Sequence, residues 1–395
     1  MGRGRPPKKE NVVENNNSDE IVTKPTKKIT SAETAVQTKD EKLDALLKGV
    51  LKGSKMLADN KDKYVVKEWF DTGSMVLNLL ISGDMYRGVP DNRITQFVGD
   101  QSSAKTYITR KIMNSAMKTG WKIFNFITEG DADIGDYERA NMDISRILMV
   151  EDVDTTKKVI HKLTAIVTEA NPEPKWLINI DSIGNLSSTQ EVNNAVDGKD
   201  TQDRSRERDL KSMFRIILPR AFDKRIPLIL INHEYESQGF IPQKIVSGGK
   251  GSRLASTTIV EFSKSQLKIG ETVVGIKIRA KTPKNRLAIE GKVVTFAIFH
   301  KSGISRHWGI DELLFEYNIA KKIKIGTGNG FEIDGEKYAL KDLLSNPEFY
   351  DEVIKKHKIN ELLSDKFSYK NENDTNADIE AELDSEILTE DTDGK

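Results

Sequence analysis

"NRITQFVGDQSSAKTYITRK", residues 92–111, decides how the chain folds. It reads as a short apolar strand (93–98), a polar loop and the start of a helix. The loop holds Gly99, then Asp100, Gln101, Ser102 and Ser103, then Ala104, Lys105 and Thr106. A strand, a glycine-led loop and a helix, in that order, form the setting in which a Lys-Thr pair binds phosphate. Backbone N–H groups at the helix N-terminus would hold the anion. Lys105 would reach the β- and γ-phosphates, and Thr106 would hold Mg²⁺. Ala104 departs from the pattern, which has glycine there. Glycine permits unusual backbone angles and close approach. If position 104 belongs to the first helical turn, alanine adds only one methyl and is tolerated. The expectation is a nucleotide site with binding weakened, not lost.

Outward from this loop, strand and helix alternate. "WKIFNFIT" (121–128), "RILMVED" (146–152), "KWLINID" (175–181) and "IPLILINH" (226–233) read as strands. "TTKKVIHKLTAIVTEA" and "RDLKSMFRIILPRAF" read as helices. Such intervals predict an α/β fold, a mostly parallel twisted sheet wrapped by helices. Near-continuous apolar strands suit a sheet covered on both faces. After Gly270, "TVVGIKIRAKTP" and "GKVVTFAIF" predict an antiparallel pair. From Asp311 to Leu363 helices are expected to dominate a small α+β C-terminal subdomain, through "DELLFEYNIAKKI" and "PEFYDEVIKKHKINELL". Before the core, Leu43, Leu46, Leu47, Val50, Leu51 and Leu57 recur near helical spacing and predict an amphipathic helix.

The 395 residues carry 61 basic and 61 acidic side chains, so the formal net charge is zero. The ends break the balance: "GRGRPPKK" opens the chain and "NDTNADIEAELDSEILTEDTDGK" closes it. Both are expected to be solvated and disordered, or to engage a polyanion or each other. No apolar run would span a bilayer, and no signal peptide is seen at the N-terminus. Zero cysteines exclude disulfides and thiolate metal sites. A cytoplasmic protein fits this composition.

A phosphate loop that hydrolyses its nucleotide needs two further acids. Asp181, ending "WLINID", is the candidate for the Mg²⁺ side. Glu129, after "FNFIT", is the candidate to position the attacking water, with Asp131 and Asp133 competing by position alone.

Taken in order, "FDTGSMVLNLLISG", "GDQSSAKT", "FITEGDADIGDYERANMD", "INIDSIGNLSS", "LINHEYE" and "SGGKGSRLAS" resemble the RecA-type recombinases, most of all their bacteriophage UvsX-like branch. The resemblance spans about Trp69 to Leu363. It implies a RecA-like P-loop ATPase core that binds ATP and Mg²⁺. It implies a DNA-dependent ATPase that forms helical filaments on single-stranded DNA, pairs them with duplex DNA and exchanges strands in recombination and repair. A loader and a single-strand-binding protein would be partners, and the site of action the cytoplasm, the host's if the chain is phage-encoded. Glu129 falls on the family's catalytic glutamate, Tyr137 on the aromatic that stacks on adenine, and His233 on the polar sensor of γ-phosphate. Lys284 and Arg286, in "KTPKNR", fall on cations that enter the neighbouring protomer's ATP site.

Two stretches would be the DNA-binding loops. Residues 187–208 carry Arg206 and Arg208 among acids. Residues 235–254 carry Phe240, Lys244, Gly248, Gly249, Lys250, Gly251 and Arg253; glycines let backbone follow a phosphate chain and cations neutralise it. Arg3-Gly4-Arg5-Pro6 looks like an AT-hook core, able to lie in a narrow minor groove. The expected layout is a basic arm (1–30), an N-terminal oligomerisation helix (31–62), the ATPase core (63–308), the C-terminal subdomain (309–364) and an acidic tail (365–395). Two rival readings stand: a ring-forming helicase or motor on the same core, and a DNA-binding paralogue without turnover, with Ala104 as its mark.

Overall fold

A computed structural model describes residues 44, 46, 48–130, 133–171, 173–199, 205–236, 244–246 and 250–369, with only the backbone described at 235, 236, 244–246 and 250. The chain divides into two units, Met1–Asp62 and Lys63–Lys395. In the first, Asp44, Leu46 and Lys48 are helical and turns follow at 49–53. The expected helix therefore ends near Gly49, and Leu57 precedes a separate short turn, Ala58–Asn60. A left-handed Gly53 is incompatible with one helix running to residue 60. The basic arm, with Arg3 and Arg5, lies outside the described residues.

The second unit is built in chain order from α1 (Met75–Ser82), β1 (Ile94–Gly99), α2 (Lys105–Lys118), β2 (Lys122–Ile127), α3 (Ile134–Arg139), β3 (Ile147–Val150), α4 (Thr156–Glu169), β4 (Trp176–Asp181), α5 (Thr189–Val196), α6 (Ser205–Asp223) and β5 (Leu228–Glu236). Next come β6 (Lys244–Val246), α7 (Lys250–Ala255), β7 (Thr258–Ile269), β8 (Thr272–Asn285), β9 (Val293–Phe299), β10 (Gly303–Ile304) and α8 (Ile310–Glu316). The unit ends with β11 (Lys321–Ile325), β12 (Gly328–Ile333), β13 (Glu336–Ala339), α9 (Leu340–Ser345), α10 (Pro347–Lys356) and α11 (Ile359–Phe367).

The main sheet runs β10-β9-β8-β7-β1-β5-β4-β2-β3, with β6 paired to the end of β5. From β7 to β3 the pairings are parallel; β8, β9 and β10 extend it antiparallel. Alternation along each strand splits the core. Leu177 and Ile229 face the cluster under α1 and α2, while Ile178, Ile180, Leu228 and Leu230 face the cluster under α4 and α6. Both faces are apolar, which explains the continuous hydrophobic text of β4 and β5.

The C-terminal subdomain departs from expectation. "AKKI" does not continue a helix: Lys321–Ile325 is an edge strand of a three-stranded antiparallel sheet. Its alternating Lys-Ile text has strand period, not helix period. "PEFYDEVIKKHKINELL" is two helices, broken at Lys358, which is left-handed at φ +50°. The tail boundary also shifts. Phe367 is fully buried, and its carbonyl accepts from Ile289 N–H at 2.7 Å. The apolar cluster under α2 continues into this subdomain through Tyr350, Leu363 and Phe367.

Candidate nucleotide and nucleic-acid site

The carboxyl ends of β1, β2, β4 and β5 lie along one edge of the parallel strands, where open α/β sheets bind ligands. Gly99 ends β1 in register with His233 on β5 and Phe262 on β7. A Cβ at Gly99 would lie 2.4 Å from the Phe262 carbonyl oxygen. Only glycine lets the chain leave β1 here.

Ala104 corrects the sequence reading. It is not in the first helical turn; it precedes α2 in the left-handed region, at φ +68° and ψ +16°. Ser102 is also left-handed, at φ +60°. A non-glycine residue there costs about 1–2 kcal/mol. The departure from the pattern is backbone strain.

Lys105 opens α2 and is buried. Its Nζ donates to the carbonyls of Gly99 (2.9 Å) and Asp100 (2.8 Å) and lies 3.4 Å from Ser103 Oγ. Burial pushes its pKa down, opposed by the carboxylates of Asp181, Glu129, Asp100 and Glu234. The Lys264 ammonium, on β7, donates to the Gln101 carbonyl at 3.3 Å.

Thr106 Oγ1 donates to Asp181 Oδ2 at 2.7 Å. Asp181 is 4% exposed, and its Oδ1 has no hydrogen-bond partner. Burial pushes this carboxyl up to about 6; the Thr106 hydroxyl opposes the rise and Glu129 adds to it. A buried carboxylate with one unpartnered oxygen, beside a hydroxyl, is a hard-oxygen pair that fits Mg²⁺. That ion takes one or two protein oxygens and completes its shell with water and phosphate. Among the described residues no cluster of three His, Cys, Asp or Glu could hold a metal by itself.

Glu129 follows β2. Its Oε1 lies 2.6 Å from His233 Nε2 and accepts from Asn185 Nδ2 at 3.1 Å. Thr128 locks the strand ends together: its N–H donates to the Asp181 carbonyl at 2.8 Å, and its hydroxyl donates to the Ser182 carbonyl at 2.7 Å. Asp133 is committed elsewhere, capping α3 through Gly135 N–H and pairing with Arg139. Asp131 lies outside the described residues. Tyr137, on α3, is buried; its hydroxyl accepts from Asn125 Nδ2 at 2.8 Å and Arg110 lies over its ring. The ring lines an apolar groove with Ile134, Ile144, Ile147 and Met149.

The first DNA-loop candidate is partly regular. Ser188 and Glu191 form a reciprocal cap that starts α5. Arg208 is exposed. Arg206 instead turns inward and donates to the carbonyls of Ile183 (3.3 Å) and Gly184. Of the second, Phe240, Gly248 and Gly249 lie outside the described residues. Lys244 is placed in β6 and Lys250 begins α7. Gly251 meets a packing need: a Cβ there would sit 3.1 Å from the Lys211 Cα of α6. Arg253 is exposed on α7. Lys284 Nζ donates to the carbonyls of Arg253 (2.7 Å) and Leu254 (3.1 Å), closing the end of α7. Burial, then Arg286 and Arg253, lower its pKa. Arg286 is exposed.

Residues 37–305 match the family described as "RecA N-terminal domain". The chain belongs to this family. It is 32% identical over 152 residues to the "Recombination and repair protein" of Enterobacteria phage T4, covering 38% of this chain and 39% of that protein. It is 26% identical over 295 residues to the "Protein RecA" of Paenarthrobacter aurescens, covering 72% of this chain and 81% of the other. With the "Protein RecA" of Corynebacterium aurimucosum it shares 26% over 344 residues, 84% and 88% of the two lengths.

Set on this RecA-family core, three contacts escaped the sequence reading. Lys264 and the inward turn of Arg206 carry no motif. Asn185 lies within "INIDSIGNLSS", but nothing in that stretch points to its bond with Glu129, and only the fold brings the two together. No helix among the described residues is long and apolar enough to cross a membrane.

Proposed function

We infer that the chain is a recombinase of DNA recombination and repair, an ATPase that assembles as a helical filament on single-stranded DNA and exchanges strands with duplex DNA. One observation carries the reading. A single sheet edge gathers a phosphate loop with Lys105, the Thr106–Asp181 oxygen pair and Glu129, and the residues bonded to Glu129 lead directly into the two candidate DNA segments.

The loop N–H groups from Asp100 to Thr106 and the Lys105 ammonium would take the β- and γ-phosphates, the ammonium exchanging its carbonyl partners for phosphate oxygens. Mg²⁺, held by Thr106 and Asp181, would supply charge neutralisation on those oxygens. Glu129 would orient the attacking water and accept its proton. His233 lies between this carboxylate and the segment after β5. Lys284 and Arg286 would serve the site of a neighbouring protomer, Lys284 leaving the α7 carbonyls to do so. Arg208, Arg253 and the loop lysines would contact phosphates of the strand, so affinity falls as salt rises. The strained Ala104 favours one second reading, a chain that binds DNA without turnover.

The test is electron microscopy of the full chain with single-stranded DNA and a non-hydrolysable ATP analogue. Helical filaments support the recombinase, and closed rings replace it with a motor. Glu129→Gln is expected to keep the filaments and lose turnover.

A further inference from the structure

The Glu129 carboxylate is held from two sides, and one holder has no assigned role. Asn185 ends the short turn Ile183–Asn185 that follows β4. Its amide Nδ2 donates to Glu129 Oε1, the same oxygen that His233 approaches. That leaves Oε2 as the oxygen with which Glu129 can engage a reactant. The turn itself is braced from afar in sequence: the Arg206 guanidinium, at the start of α6, donates to the carbonyls of Ile183 and Gly184. Asn185 and Arg206 are thus joined through the 183–185 turn, and a displacement of Arg206 would be passed to the turn and to the Asn185 amide. Beneath the turn, Thr128 ties Glu129's own backbone to Asp181 and Ser182.

We propose that Asn185 is a positioning residue that sets the orientation of the Glu129 carboxylate, and that Arg206 acts through it, so that a strand phosphate engaging Arg206 reaches the hydrolytic site along Arg206, the 183–185 turn and Asn185. The proposal rests on the ATPase reading of this site. It makes Arg206 part of the coupling and not a simple phosphate contact.

The test is steady-state ATP hydrolysis by the full chain with saturating single-stranded DNA, in wild type, Asn185→Ala, Asn185→Asp and Arg206→Lys, with thermal unfolding as the folding control. Asn185→Ala is expected to lower kcat roughly tenfold with KM for ATP little changed, the mark of lost transition-state positioning. Asn185→Asp keeps the shape but sets a carboxylate against Glu129, so it should fall below Asn185→Ala. A shape-only role would reverse that order, and the reversal overturns the proposal. Arg206→Lys should lower kcat even at saturating DNA; restoration to wild-type kcat by added DNA would make Arg206 a contact residue and sink the relay. If wild type shows no hydrolysis, the ATPase reading itself fails and this proposal with it. Wild-type turnover with unaffected Asn185 variants rejects the proposal alone.

Discussion

At the scale of the residue, the site is marked by two strained groups. Ala104 occupies a left-handed position that glycine fills without cost. Ala104→Gly is expected to stabilise the chain by about 0.5–1 kcal/mol, after the entropy glycine adds to the unfolded chain is subtracted. A rise of a few degrees in unfolding temperature checks it, and a fall contradicts the strain. Asp181 is the second. Its carboxyl is raised in the folded state from 3.8 to about 6 by burial. The folded protein therefore resists ionising it. That cost is zero below about pH 4, grows between pH 4 and 6, and is complete above the folded pKa. Asp181→Asn removes the cost. It should unfold at higher denaturant than wild type at pH 7.5, by about 1–3 kcal/mol, and match wild type below pH 4. The same variant should lose Mg²⁺-dependent hydrolysis, the exchange of stability for function expected of a buried ligand. Equal stability at pH 7.5 would remove the burial argument.

At the scale of the element, Asn285 fixes the strand end that carries the candidate cations Lys284 and Arg286. It ends β8 and is buried. Its Nδ2 donates to the carbonyls of Leu80 and Ile81 at the end of α1, and its Oδ1 accepts from Thr258 Oγ1 and Leu287 N–H. Four bonds from one side chain pin α1, β7 and β8 together, and Lys284 and Arg286 flank it. Asn285→Ala leaves buried carbonyls unpaired and is expected to cost about 2–4 kcal/mol, measured by urea unfolding. A loss under 0.5 kcal/mol would contradict the pinning. The sequence announced β1, α2, β4 and β5 well, because a phosphate loop and two-sided apolar strands leave few alternatives. It misjudged elements whose text is ambiguous. "AKKI" reads as helix when taken with the helical text before it, and the strand period shows only when it is read on through Lys324 and Ile325 to its partner strand Gly328–Ile333. Position 104 reads as helix until its φ is known. Asn185 and Arg206 meet the site only through the turn after β4, a contact that no spacing encodes.

At the scale of the molecule, both candidate DNA segments are joined in sequence to the parallel strands that run from β7 to β3. The segment after β4 is tied to Glu129 through Asn185, and the strand that leads into the second through His233. On the proposed ATPase reading, these two contacts would make hydrolysis responsive to the strand. Binding to single-stranded DNA should fall steeply with salt, since phosphate neutralisation releases counterions. Titration of affinity at 50 and 200 mM salt checks this, and a flat response would remove the backbone-contact account. The central claim is that the carboxyl edge of the sheet is a DNA-activated ATP site. Its most direct test is ATP hydrolysis by the full chain, with and without single-stranded DNA, in wild type and Glu129→Gln. The account expects turnover that rises on DNA addition in wild type and is lost in Glu129→Gln while ATP binding is retained. Turnover indifferent to DNA, or undiminished in Glu129→Gln, would contradict it.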